Sequence, residues 1–156
     1  MPADKHLSHN DYQALAELRY QLRRFLRFSE QAARSAGLEP QQHQLLLAIR
    51  GLPTEKQPSI GELAERLQLQ HHSTLELIDR TVERGFLERR RDTDDRRRVL
   101  IRLTRQGKEV LEQLSVLHRT ELRSTGPDLV QALQALIGTS PRAEEGVDEH
   151  GLQWEI

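Results

Sequence analysis

The chain of 156 residues contains no cysteine. Disulfide bonds, thiolate metal sites and cysteine-based redox sensing are therefore excluded. The sequence also lacks any apolar run approaching the roughly 20 residues that a membrane-spanning helix needs. Its first residues have no apolar stretch of the kind found in secretion signals. We therefore expect a cytoplasmic protein with no membrane partner, and the length suits one domain with a real core.

Patterns typical of enzymes and metal sites are missing as well. The sequence has no nucleophile elbow, phosphate-binding glycine loop or His-Glu-x-x-His motif. His71 and His72 are adjacent, but neighbouring helical residues point about 100° apart and do not share a face. Asp94 and Asp95 stand among arginines, which should keep both carboxyls ionised. We therefore expect no catalytic activity, no bound metal and no cofactor.

The charges are distributed unevenly, although the formal net charge is only −1. Residues 86–108 contain nine Arg or Lys and four Asp or Glu, whereas residues 139–156 contain one Arg and five Asp or Glu. A local basic patch is what a phosphate backbone requires of its partner. The commoner reason for a charge run is a solvated surface. Residues 139–156 are predicted to form an acidic C-terminal tail.

Apolar residues at helical spacing predict long helices near both ends of the chain. The first spans about residues 9–36 and follows a capping-box pair, Ser8 and Asp11. The second region spans about residues 105–137, and Ser124–Pro127 predicts a break within it. The apolar stripes of these helices need a partner surface, either in the core or on a second copy of the chain.

The middle of the chain, about residues 40–104, predicts a helix-turn-helix followed by a β-hairpin. A short amphipathic helix begins after Ser59, and a further helix runs from about 71 to 84. Two strands, residues 86–91 and 99–103, flank a polar turn rich in aspartate and arginine. The predicted fold class is therefore mainly α with a small β-hairpin wing, a winged helix-turn-helix with additional N- and C-terminal helices.

These elements have the shapes needed to bind duplex DNA. The major groove admits one helix, a preceding helix braces it, and a hairpin tip can carry arginine into a minor groove. The candidate contacts of the second helix are Gln70, His71, His72, Ser73, Thr74, Glu76, Leu77 and Arg80. Glu76 either accepts from a cytosine amino group or pairs with Arg80, and Leu77 either meets a thymine methyl group or packs in the core. The alternative function is a winged-helix module that binds protein rather than DNA.

One run of residues, from Asp95 to Gly107, resembles the wing of the MarR family of bacterial regulators. It follows the pattern Asp-x-Arg, then an apolar strand, then Leu-Thr-x-x-Gly. Ser59–Ala64 is similar to that family's bracing helix, and Glu83–Leu87 to the exit from its recognition helix. The resemblance covers roughly residues 38–114. It implies a single domain over residues 1–138, with the tail following.

The resemblance also implies a homodimer, in which the first and last helices of two chains intertwine. Two winged domains would then straddle a pseudo-palindromic site, with half-sites roughly 34–36 Å apart. Arg97 would enter the minor groove with Asp95 orienting it, and Arg96 and Arg98 would touch phosphates or the groove edge. The residues expected at the dimer interface are Leu15, Leu18, Leu22, Phe25, Leu114, Leu117 and Leu133.

Regulation by a small molecule is a further implication of the resemblance. Members of this family often bind small aromatic or phenolic effectors in a crevice between the dimer helices and the winged domain. Arg23, Arg27, His43 and Arg50 come from the elements that would line such a crevice. The expected function is a dimeric, sequence-specific repressor of transcription that an effector releases from DNA.

Overall fold

The computed structural model describes residues 6–138. In chain order the elements are α1 (His9–Ser35), α2 (Pro40–Arg50), α3 (Ile60–Leu67), α4 (His71–Glu83), β1 (Leu87–Arg91), β2 (Val99–Leu103) and α5 (Arg105–Ile137). The two strands pair as an antiparallel hairpin. The predicted fold class, mainly α with a hairpin wing, is confirmed. The predicted acidic tail, residues 139–156, lies outside the described residues.

Local sequence signals fix where several helices begin and end. Ser8 and Asp11 form the predicted capping box: the Asp11 amide donates to Ser8 Oγ at 3.2 Å, and the Ser8 amide donates to Asp11 Oδ2 at 2.7 Å. These bonds satisfy amides that have no partner inside the helix. After α1, Gly37 adopts a φ of +83°, a left-handed conformation that glycine enters without a Cβ penalty.

The core lies where α2 meets the other elements of the winged domain. Leu45 and Leu46 of α2 are fully buried, as are Leu63 of α3 and Ile101 of β2. Leu114 of α5 is also fully buried within one chain. Its assignment to the dimer interface is therefore wrong, because its side chain is already packed against the chain's own core.

The chain does not break at Ser124–Pro127, contrary to the prediction. α5 runs continuously from Arg105 to Ile137 with Pro127 inside it. Proline removes one backbone donor from the helix, yet the Thr125 hydroxyl donates to the Glu121 carbonyl at 3.0 Å in the same turn. α5 packs along α1, and Ala132, one turn beyond the proline, is buried. Tertiary packing therefore overrides the local break signal.

Gly107 holds the base of the hairpin against α5. A Cβ at this position would overlap the carbonyl oxygen of Phe86, so only glycine allows the first turn of α5 to approach this closely. Two hydrogen bonds complete the junction: the Thr104 hydroxyl donates to the Gly85 carbonyl at 2.6 Å, and the Thr104 amide to the Phe86 carbonyl at 3.1 Å. The Leu-Thr-x-x-Gly pattern thus fixes the hairpin to the helix that follows it.

Among residues 6–138, no helix is both long enough and apolar enough to cross a membrane.

Candidate nucleic-acid interface

The helix-turn-helix consists of α3 and α4 joined by a tight turn. Ser59 caps α3 by accepting from the Glu62 amide at 3.3 Å. Gln68 takes the left-handed conformation, with φ of 53°, and the Leu69 amide donates to the Ala64 carbonyl at 3.0 Å. Gln70 then begins α4 without a side-chain cap. The first-turn amides of α4 are therefore open to an acceptor such as a phosphate oxygen.

The exposed side of α4 carries most of the residues predicted to contact DNA. Gln70, His71, His72, Glu76 and Arg80 are exposed, and Ser73 is half-buried.

Thr74 and Leu77 do not belong to this exposed side. Leu77 is only 1 % exposed and joins the core, so the packing alternative holds for it and the base contact is wrong. Thr74 is fully buried, and its hydroxyl donates to the Gln70 carbonyl at 3.0 Å. At helical spacing, positions 74, 77, 78 and 81 share the inner face of α4.

Ion pairs tie the exposed side of α4 to its neighbours. Arg80 Nη2 lies 3.6 Å from Glu39 Oε2, at the start of α2, rather than pairing with Glu76. Asp79 pairs with Arg89 on β1. These pairs are solvent-exposed and individually weak. They link α4 to α2 and to the hairpin in addition to the core packing of Leu77 and Ile78.

Arg84, at the end of α4, is the strongest link between this helix and the rest of the domain. It donates to the Gly37 carbonyl and, at 3.3 Å, to Gln42 Oε1. Gln42 itself is fully buried in α2. No local pattern in the sequence marks this role of Arg84, because its partners lie more than 40 residues away in the chain.

The wing is the β1–β2 hairpin with its arginine-rich tip. Its register pairs Leu87 with Leu103 and Arg91 with Val99. At the tip, Asp95 Oδ1 accepts from the Arg97 amide at 3.1 Å, and the Asp95 carbonyl accepts from the Arg98 amide at 2.9 Å. Asp95 therefore shapes the turn through backbone contacts.

The three arginines at the wing tip differ in how far their side chains are exposed to solvent. The Arg97 side chain is 96 % exposed and projects from the turn, with its Nε 3.6 Å from Asp95 Oδ1. Arg96 is exposed as well. Arg98 lies 4.0 Å from Asp92 Oδ2, and its side chain is about half exposed. Asp95 and Arg97 are thus placed as the sequence analysis expected, with the aspartate beside the guanidinium that leads the tip.

The four residues predicted for an effector pocket are not brought together. Arg23 and Arg27 line a groove along α1, and Arg50 lies beside the hairpin. His43 alone lines an apolar cavity of about 440 Å³ between α1, α2 and α5. The prediction that the four residues line one crevice is therefore wrong, because Arg23, Arg27 and Arg50 line other depressions of the surface. The lining of the apolar cavity consists of Phe25, His43, Leu47, Ser115, His118, Arg119, Leu122 and Arg123.

His118 is the residue of this cavity that the sequence analysis missed. Its Nδ1 lies 2.6 Å from the Leu114 carbonyl oxygen, and its Nε2 lies 2.7 Å from Ser29 Oγ on α1. Its ring centroid is 4.8 Å from that of His43. No local pattern in the sequence marks the cluster of Ser29, His43 and His118, because α1, α2 and α5 contribute one member each. Phe25 and Ser29 are four residues apart and therefore lie on one side of α1.

His43 sits at the buried end of the cavity and is only 2 % exposed. Within the described part of the chain, its Nδ1 has no hydrogen-bond partner. Burial, together with the nearby His118, lowers the pKa of His43 to about 4. The His43 ring is therefore neutral at physiological pH. No group of three or more potential metal-ligating residues occurs between residues 6 and 138.

The chain is a winged helix-turn-helix protein. Its α3 braces α4, one side of α4 is exposed, and the β1–β2 hairpin carries arginines at its tip. Residues 36–98 match the family model described as the MarR family. This segment is similar to the MarR family, in agreement with the resemblance in its sequence. No curated protein matches the chain.

Several solved structures share the fold over most of the chain. AbsC, a MarR family transcriptional regulator from Streptomyces coelicolor, is 18% identical, with 84% of this chain and 91% of that chain covered and a TM-score of 0.69. A mutant of MarR from E. coli complexed with operator DNA is 23% identical, with 76% and 86% covered and a TM-score of 0.59. A mutant of MepR from S. aureus bound to an oligodeoxyribonucleotide is 17% identical, with 84% and 99% covered and a TM-score of 0.59.

Proposed function

We propose that the protein is a dimeric, sequence-specific DNA-binding regulator of transcription, and that it acts as a repressor. The observation that carries this proposal is the joint exposure of the α4 face and of Arg97 at the wing tip on one folded unit. A helix can read base edges in the major groove while arginine senses the narrow, electronegative minor groove beside it. Relatives of the same fold have been solved with DNA bound.

The competing function, a winged-helix module that binds only protein, is less well supported. Such a module needs an exposed surface on the winged domain with apolar anchors. The large apolar side chains that the structure exposes lie almost entirely on α1 and α5, and the winged domain contributes only Leu47. An arginine-tipped hairpin suits phosphate and groove contacts better.

Dimerisation through α1 and α5 is supported by the position of exposed apolar side chains. Apart from Leu7 and Leu47, every exposed large hydrophobic residue of the described chain lies on one of these two helices. Among the predicted interface residues, Leu15, Leu22, Leu117 and Leu133 are exposed. Leu18 and Phe25 are half-buried. A patch of this kind on a soluble chain marks an interface, and a second copy supplies a matching surface.

The dimer is tested by a charge placed on this surface. The wild-type protein should have twice the mass of one chain in analytical ultracentrifugation. Leu22→Glu should shift it strongly toward monomer, because burying an unpaired carboxylate at an interface is costly. Gln57→Glu, which adds a carboxylate on the exposed loop before α3, is the control and should leave the dimer intact. A fully stable Leu22→Glu dimer would contradict the assigned interface.

We further propose that a small aromatic or phenolic effector binds in the cavity between α1, α2 and α5. The cavity volume of about 440 Å³ suits a ligand of this size. Phe25 offers an aromatic edge, and Arg119 and Arg123 offer a cationic rim for a phenolate or carboxylate. The proposed site in this cavity does not include Arg23, Arg27 or Arg50.

The cavity lies on the helix that supports the DNA-reading elements. His43 neighbours Gln42 in α2, and Gln42 Oε1 accepts from Arg84 at the end of α4. Glu39, at the start of α2, pairs with Arg80 of α4. A ligand that shifts α2 therefore moves α4, and a coupling of about 1–3 kcal/mol is typical of such linkage.

Benzoate and phenol serve as probes of this proposal. Saturating probe should weaken operator binding about 5- to 150-fold. Leu47→Trp, which fills the cavity, should remove this response and retain DNA binding without probe. The effector proposal fails if neither probe changes affinity, or if the response survives in Leu47→Trp.

A further inference from the structure

A basic groove lies on the hairpin, on the opposite side from α4. We define it by its four cationic residues, Arg50, Arg90, Arg102 and Lys108, which line a depression of about 330 Å³. Arg50 ends α2, Lys108 lies in the first turns of α5, and the two others stand on the strands. The groove is thus built from four elements, α2, β1, β2 and α5, each of which contributes one cationic group.

The strand register shows which way the groove faces. Residues opposite each other in a hairpin share a face, and successive residues alternate between faces. Arg89, paired with Ile101, contacts Asp79 of α4, so this face of the hairpin turns toward α4. Glu88 pairs with Arg102 across the strands and lies on the opposite face together with Arg90. The two strand cations of the groove, Arg90 and Arg102, therefore lie on the opposite face of the hairpin from Arg89.

The positive charge of the groove is only partly compensated. Glu88 is the one carboxylate that lines it, and Glu88 Oε1 accepts from Arg90 Nε at 2.8 Å. Among the described residues, Arg50, Arg102 and Lys108 have no carboxylate oxygen within 4.0 Å. Three cations without an ionic partner, in a chain whose net charge is −1, form a concentrated site for an anion.

The position of the groove indicates which anion reaches it. A duplex that passes α4 and then the wing tip continues toward the side of the hairpin that faces away from α4. Duplex DNA presents about one negative charge every 1.7 Å along its axis, so several phosphates would lie within reach of a groove of this size.

We propose that the basic groove holds backbone phosphates of the DNA that continues beyond the wing, so that the bound site extends past the two half-sites. This inference rests on the proposed DNA-binding function. The contacts are to phosphates, so they add affinity and salt dependence without reading sequence. Each protomer would bind the flanking DNA on its own side, so that the dimer would contact the DNA at both ends of its operator.

The test compares two duplexes carrying the same selected operator. The short duplex ends where the wing tips reach, and the long duplex adds about one helical turn, roughly 10 base pairs, at each end. The double variant Arg102→Gln, Lys108→Gln removes two groove cations. The double variant Arg27→Gln, Arg34→Gln removes two cations from the groove on α1 and controls for net charge.

The wild type and the control should bind the long duplex about tenfold or more tightly than the short one. The groove variant should bind the long duplex no more tightly than the short one. Its affinity for the short duplex should equal that of the wild type. Its slope of log affinity against log salt on the long duplex should fall by about 0.9 for each phosphate contact removed. Thermal unfolding and sedimentation of the variant serve to establish that the fold and the dimer are retained.

Equal affinity of the wild type for the short and the long duplex would overturn the inference. So would a groove variant that loses the same factor of affinity for both duplexes. Binding of inorganic pyrophosphate to the groove without any effect of duplex length would also overturn it, since the groove would then serve a free phosphate compound. In all of these cases the short duplex still binds. If neither duplex binds at low salt, it is the proposed DNA-binding function that fails.

Discussion

Replacing Arg97 with alanine should weaken operator binding at least tenfold and leave the dimer intact. The guanidinium is almost entirely exposed at the wing tip, so its removal costs no packing. A specific arginine contact with DNA contributes about 1–3 kcal/mol, and a dimer loses two such contacts. The loss is measured by fluorescence anisotropy with a labelled operator at fixed salt, because affinity depends on salt concentration.

The geometry at the tip distinguishes a positioned arginine from a simple positive charge. Asp95 holds the Arg97 backbone through a 3.1 Å hydrogen bond and stands beside its side chain. Arg97→Lys should therefore recover only part of the lost affinity, since a lysine cannot reproduce the planar guanidinium.

The matched control for Arg97 is Arg34→Ala on α1, which removes the same charge from an exposed position distant from the tip in sequence. It should bind the operator as the wild type does. Equal affinity of Arg97→Ala and the wild type would show that the wing does not enter the groove, even if the protein binds DNA.

The second large effect concerns pH and stability. His43 has a pKa of about 4 in the folded chain, against 6.5 for the free side chain. Between these values the unfolded chain takes up a proton that the folded chain does not, so the unfolded state gains stability as the pH falls. The contribution of His43 is therefore fully present above pH 6.5 and is lost as the pH falls to about 4. The size of the loss is about 3 kcal/mol.

Chemical denaturation from pH 7.5 down to pH 4 tests this assignment. His43→Phe removes the titrating group and its unpartnered Nδ1, so the variant should lose about 3 kcal/mol less stability than the wild type over this range. His71→Gln, an exposed histidine on α4, is the control and should follow the wild-type curve. Parallel curves for the wild type and His43→Phe would contradict the buried, neutral assignment.

Local signals in the sequence predicted the elements of the fold well. Capping signals act within a few residues, so Ser8 with Asp11, and Ser59, marked helix starts that the structure reproduces. The two strands were predicted to within one residue. The break at Pro127 failed because packing of α5 against α1 compensates for a local disruption.

Burial within the candidate site was harder to predict, because it depends on distant parts of the chain. Leu77 and Thr74 lie on the inner face of α4 only because α2, α3 and the hairpin enclose that face. Leu114 looked like an interface leucine, yet it is packed in the core of its own chain.

The wing and the cavity show the same contrast. Asp95 and Arg97 are close in sequence, and their mutual position follows from one turn. The cavity joins His43 to His118 and Ser29, which come from three helices. A contact between residues so far apart leaves no local pattern in a single sequence. The arginines predicted for the pocket therefore lie on helices that line the cavity, but on other faces of those helices.

The central claim is that this folded unit binds duplex DNA through α4 and the wing. The most direct measurement selects genomic fragments with the purified protein and then titrates the best duplex against salt. The account predicts a selected pseudo-palindrome whose affinity falls steeply and linearly on a log–log plot as salt rises, because phosphate contacts release counterions. Failure to bind any genomic fragment at low salt would contradict the account.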